Sequence, residues 1–187
     1  AYTISLYMTA VRKLFQWLEA KKIYPDVAKG VKGAKKPRGH RKDVLSPEEI
    51  RKALEAIDRS TLAGLRDYAL FNLLARTGLR TVEVARATVG DIRQEPGLKR
   101  GERVLWIQGK GRDSKDDFVL LTKEALQPIQ EYLQLRGRTS AKSPLFSSIS
   151  DRNSGQPLTT RSISRIIKQA LRQIGLDDSR LTAHSMR

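Results

Sequence analysis

Apolar residues near the start of the chain recur with helical spacing. Ile4, Tyr7, Met8, Val11, Leu14, Phe15 and Leu18 fall at i, i+3, i+4 and i+7, which predicts an amphipathic helix with one continuous stripe. A lone helix cannot bury its own stripe, so the element reads as part of a larger helical unit that Ala1 enters almost mid-element. From 29 to 43 the period disappears. Gly30, Gly33 and the run Lys35-Lys36-Pro37-Arg38-Gly39-His40-Arg41-Lys42 read as a basic linker.

A second unit begins sharply at Ser46-Pro47-Glu48-Glu49, with a capping serine, proline at the first helical position and glutamate three residues after the cap. Ile50, Leu54 and Ile57 follow as its buried face. A longer helix is predicted over 62–76, with Leu65, Tyr68, Ala69 and Leu73 turned inward and Gly78 suited to its end. A short helix starts near Thr81. The β-prone runs 104–107 and 118–121 flank a Gly-rich polar stretch and predict an antiparallel pair. Helix returns over 123–134, where Pro128 predicts a kink or a later start. Thr159 or Thr160 caps a helix striped by Ile163, Ile166, Ile167, Ala170, Leu171 and Ile174 and closed by Gly175. Thr182 caps a final helix that puts His184 and Arg187 one turn apart. The fold class is α+β, mainly α-helical, with a small antiparallel sheet at one side.

Charge narrows the partners. The chain carries +16 overall, and 1–43 alone hold 11 Lys/Arg against 3 Asp/Glu, so half the excess sits in under a quarter of the length. Such a field attracts polyanions, nucleic acid foremost. A merely soluble basic surface is the bland alternative. Membrane binding is disfavoured, because no apolar run spans a bilayer and the basic residues do not line one amphipathic helix. RNA recognition by base stacking is disfavoured by an aromatic content of 6%. With no cysteine and two distant histidines, no metal site and no cofactor is expected, and the setting reads as cytoplasmic.

Three short stretches carry the chemistry. Arg80 follows a glycine turn and opens a helix, where guanidinium and helix end both favour an anion; a helical pair with Glu83 is the plainer reading. His184 and Arg187 share a helical face, although a capping or core histidine is as simple an account. Lys110 lies in Gly109-Lys110-Gly111, which alone is no more than a flexible loop tip.

In order and context the three resemble the tyrosine recombinase family, the lambda-integrase-like site-specific recombinases. Its Ala-x-Thr-Gly-x-Arg-x-x-Glu stretch reads here Ala75-Arg76-Thr77-Gly78-Leu79-Arg80-Thr81-Val82-Glu83, its hairpin lysine points to Lys110, and its His-x-x-Arg maps onto His184 and Arg187. The resemblance implies a divided chain: 1–28 as the last helical part of a DNA core-binding domain, 29–43 as linker, and 44–187 as a catalytic domain lacking its C-terminal end. It implies DNA strand cleavage and rejoining through a 3′-phosphotyrosyl link, in a bacterial or phage-encoded, nucleoid-associated enzyme of a mobile element, phage or chromosome-resolution system. The partners it implies are double-stranded DNA and a multimer assembled on it.

The roles follow. Arg80 and Arg187 clamp the non-bridging oxygens, the work a metal does in other phosphoryl-transfer enzymes. Lys110 protonates the leaving 5′-oxygen, with Lys115 on the same hairpin as its rival. His184 assists the nucleophile or stabilises charge. Glu83 orients Arg80 or a neighbour. Lys35, Lys36, Arg38, Arg41 and Lys42, with Arg161, Arg165 and Lys168, are the expected DNA contacts, mostly to phosphate. The family's next positions, a His or Trp and then the nucleophilic Tyr, lie beyond the second arginine. Tyr2, Tyr7, Tyr24, Tyr68 and Tyr132 all precede His184 and none matches. The sequence as it stands is therefore expected to hold DNA without forming the covalent intermediate. A non-catalytic DNA-binding or regulatory protein on the same fold is the alternative, one with no need of Arg80, Lys110, His184 and Arg187 together.

Overall fold

The computed structural model describes residues 2–33, 44–109 and 111–186. The chain divides into two compact units, Ala1–Arg41 and Lys42–Arg187. In the first, helix α1 (Tyr2–Ala20) forms as its period predicts. Phe15 and Leu18 turn inward and the Phe15 ring meets Tyr24 at 6.2 Å, yet Ile4, Tyr7, Val11 and Leu14 remain exposed. The linker expected over 29–43 lies outside the described residues from 34 onward.

The second unit is built on α3 (Leu62–Thr77), with α2 (Pro47–Ala56), α5 (Lys123–Arg136) and α6 (Thr160–Gln173) packed on it. The capping box of α2 is complete. Glu49 N–H donates to Ser46 Oγ at 3.2 Å, and Ser46 N–H donates to Glu49 Oε2 at 2.7 Å. Helix α3 is buried on most sides, with Ala69, Leu70, Phe71, Leu73 and Leu74 at 0–1% exposure, which is why no clean stripe marks its sequence. It ends at Gly78 in the left-handed region (φ 63°), whose N–H returns to Leu74 O.

Its other end sets a steric limit. A Cβ on Gly64 would fall 1.6 Å from the Asp58 carbonyl oxygen. Gly64→Ala is therefore expected to cost about 3 kcal/mol, near the top of the range for overpacking. For a chain of this size that is a melting point lower by roughly 6–12 °C. An unchanged midpoint would mean that the 58–61 turn yields freely.

Pro128 does not delay α5, which starts at Lys123. A proline has no N–H for the carbonyl four residues back, here Glu124 O. Asn72, buried on α3, supplies the missing donor through Nδ2 at 2.9 Å. Further along α5, fully buried Tyr132 stacks on Phe146 at 5.8 Å and shares a hydrogen bond with Ser147 Oγ at 3.0 Å.

The sheet has three antiparallel strands rather than two: β1 (Ile92–Arg93), β2 (Arg103–Ile107) and β3 (Asp117–Leu121), in the order β1-β2-β3. Strand β1 spans too few residues to show an alternation. Leu105, Ile107 and Leu121 face the core, while Trp106 pairs with Phe118 at 5.4 Å on the other face. Helix α6 matches expectation, with Thr159 as its cap (Ser162 N–H to Thr159 Oγ1, 3.1 Å) and Gly175 after its end.

The final helix is a correction. Ala183–Met186 form one 3₁₀ turn. Thr182 does act as a cap, since its Oγ1 accepts from His184 N–H at 3.3 Å and its own N–H donates to Ser185 Oγ at 3.1 Å. With both bonds closed inside four residues, the tighter turn forms instead of an α-helix. Among the described residues no helix is long and apolar enough to cross a membrane.

Candidate functional site

Arg80 caps α4 (Thr81–Arg86) from an extended backbone. The Glu83 carboxylate, one turn on, accepts from two of its donors: Arg80 N–H at 2.7 Å and Nη1 at 2.8 Å. Glu83 is buried, whereas the Arg80 side chain is 47% exposed. The helical pair with Glu83 thus forms as the plainer reading has it. The helical ion pair fixes the guanidinium at its inner edge, and its remaining N–H groups have no hydrogen-bond partner among the described residues. With six residues, α4 adds little dipole, so the positive charge at this point is that of the guanidinium.

Lys110 and Arg187 lie outside the described residues, as do Lys35, Lys36, Arg38, Arg41 and Lys42. The surroundings of position 110 are described. Gly109 O accepts from Arg112 N–H at 3.3 Å and from Arg86 Nη1 at 3.5 Å, and Gly111 has φ 77°, a conformation natural only to glycine. Lys115, the rival lysine, is occupied by the buried Asp91 carboxylate. Burial pushes the Asp91 carboxyl up, but Lys115 and the two Thr88 donors outweigh it and hold it below the ordinary value. That engagement counts against Lys115 as a mobile proton donor.

His184 is exposed on its turn, which packs against α3 and α6. The turn is tied from a distance: Leu45 N–H donates to Ser185 O at 2.8 Å, so the entry to the second unit holds the His184 segment. On α6, Arg161 and Arg165 are exposed and have no charged partner among the described residues. Lys168 differs from them. Its ammonium donates to Asp178 O at 3.0 Å and stands 3.8 Å from Asp177, which also pairs with Arg172. Arg180 and its own N–H hold the Asp178 carboxyl down to about 2.

The sequence reading missed Arg86, Asp91 and Leu45. Only Asp91 left a readable signal, as the fourth residue of Thr88-Val89-Gly90-Asp91, a capping spacing. The other two act through contacts from far along the chain.

The mainly helical second unit, with its small antiparallel sheet and an arginine braced by a buried glutamate, has the architecture of the tyrosine recombinase catalytic domain. Residues 43–187 match the phage integrase family, and the chain belongs to that family. A tyrosine recombinase of Synechococcus elongatus is 33% identical over 142 residues, covering 76% of this chain and 42% of that protein. Tyrosine recombinase XerD of Listeria monocytogenes is 27% identical over 190 residues, all of this chain and 60% of its own. Of solved structures, XerH bound to palindromic difH substrate aligns at a TM-score of 0.70 with 24% identity over 96% of this chain and 52% of its own. A lambda integrase dimer bound to a COC' core site aligns at 0.65 with 17% identity, over 97% and 62%. The fold is thus shared. The chain spans about half the length of the relatives it matches.

Proposed function

We propose that this chain is part of a site-specific DNA recombinase that breaks and rejoins strands through a 3′-phosphotyrosyl intermediate, with 1–28 belonging to a core-binding domain, 29–43 linking, and 44–187 catalytic. The observation that carries the reading is Arg80, charged, half exposed and held by buried Glu83 in the family's own motif. A phosphodiester passing through a pentavalent transition state gathers charge on its non-bridging oxygens. Arg80 and Arg187 are the clamp for that charge, and Glu83 orients Arg80 before the reaction.

In the cleavage step a tyrosine oxygen bonds to phosphorus as the bond from phosphorus to O5′ breaks. The Lys110 ammonium gives its proton to O5′, and His184 receives or shares the proton of the nucleophile. The link keeps the energy of the phosphodiester, so the reverse attack by a 5′-hydroxyl reseals the strand. None of Tyr2, Tyr7, Tyr24, Tyr68 and Tyr132 matches the family's motif for that tyrosine. Double-stranded DNA as partner is supported by the charge of +16 and by the DNA complexes of the XerH and lambda integrase neighbours, and assembly on DNA by the dimer among them.

The test is a cleavage assay with the reading frame that encodes this sequence, carried to its stop codon, on a nicked DNA substrate that traps the intermediate. A detergent-resistant protein–DNA adduct is expected. DNA binding with no adduct would leave the alternative, a non-catalytic DNA-binding protein on this fold.

A further inference from the structure

The connection between β2 and β3 is held at two points, and both anchors come from 86–91, the last residue of the helix that Arg80 caps and the turn after it. Arg86, the last residue of α4, reaches the carbonyl of Gly109, the residue before Lys110. Beyond Lys110, the Lys115 ammonium pairs with Asp91. Asp91 is 4% exposed and also accepts from Thr88 N–H at 2.7 Å and Thr88 Oγ1 at 2.8 Å, so its carboxylate is fixed before Lys115 arrives. The Lys115 side chain is itself 28% exposed. The other ion pair of the connection, Arg112 with Asp116, is of a different kind: it is mostly exposed and ties the connection only to itself.

We infer that Asp91 and Lys115 are a positioning pair, which sets the hairpin connection against the Arg80 segment and so places the Lys110 ammonium for proton transfer. The inference rests on the reading of Lys110 as general acid. Among its described residues the connection between Ile107 and Asp117 has no strand pairing of its own, and glycines flank Lys110 on both sides in the sequence. Local backbone preference therefore does little to place it. Proton transfer needs a donor within about 3 Å of the leaving oxygen. A shift of 1 Å there is enough to cost about two orders of magnitude. A buried carboxylate is a stringent anchor, because losing its partner leaves a charge uncompensated away from water.

The experiment compares single-turnover cleavage by the full reading frame on two DNA substrates, one ordinary and one with sulfur in place of the bridging 5′-oxygen. A thiolate leaves without needing a proton, so only defects in proton donation are rescued. Asp91→Asn and Lys115→Met are each expected to slow cleavage of ordinary DNA about 30- to 100-fold, as misplacement of the donor demands. Both should cleave the sulfur substrate within about threefold of the parent, with DNA affinity unchanged and the double variant no worse than the poorer single one. Lys115→Arg keeps a cation at Asp91 and should retain most of the rate. Equal losses on both substrates would overturn the inference, since they indicate a general structural role. So would an undiminished rate on ordinary DNA. Lys110→Ala distinguishes the underlying reading: if it is not rescued by sulfur, Lys110 is not the proton donor and the inference fails with it.

Discussion

Arg80→Ala is expected to lower the single-turnover cleavage rate about 10³-fold, with DNA affinity changed by less than about threefold, in line with removal of a preorganised donor that acts on transition-state charge. The separation of rate from binding follows from geometry. The guanidinium is held at one edge by Glu83 and on the proposed function would meet one phosphate among many, so it should add little to ground-state affinity. Arg80→Lys should recover little of the rate, because an ammonium keeps the charge but loses the fork that spans two oxygens. Arg80→Ala also leaves the buried Glu83 with the backbone N–H alone, which costs stability of about 1–3 kcal/mol. Glu83→Gln checks that contribution: it keeps an acceptor for the Arg80 N–H, weakens the brace, and should slow cleavage about tenfold with binding intact. A rate for Arg80→Ala near that of the parent would remove Arg80 from the reaction.

Much of the architecture was legible because its signals are local. The Ser46-Pro47-Glu48-Glu49 cap, the Gly78 terminator and the stripe of α6 each act within a few residues, and each forms as read. What escaped acts at long range. At Pro128 the donor that the helix lacks is supplied by Asn72, far back in the sequence. Strand β1 exists because β2 pairs with it, since two residues have no period. The turn of Ala183–Met186 closes as 3₁₀ through two bonds within 182–185, where motif spacing alone suggested a longer helix. The site divides the same way. Arg80 and Glu83, three residues apart, are readable as a pair, whereas Asp91 with Lys115 is not. Lys168, an expected DNA contact on α6, is engaged by Asp177 and the Asp178 carbonyl, which the stripe cannot show.

That division bears on how DNA is held. The sequence reading names eight basic residues as contacts, and with six phosphates neutralised the affinity should fall about 10³-fold between 50 and 200 mM salt, as release of condensed counterions requires. A gel-shift titration measures the slope. Arg161→Ala and Arg165→Ala should each reduce it by about one unit, because each removes an exposed cation with no charged partner among the described residues. Lys168→Ala should change it by well under one unit, since its ammonium is already committed to the turn at Asp178. Its effect should appear instead in cleavage, because that turn leads through Leu181 and Thr182 into His184. Equal slope changes for all three would show that DNA draws Lys168 away from Asp177, and the local pairing would then be a resting arrangement of the free protein. A flat salt response from the parent would count against phosphate-dominated binding altogether.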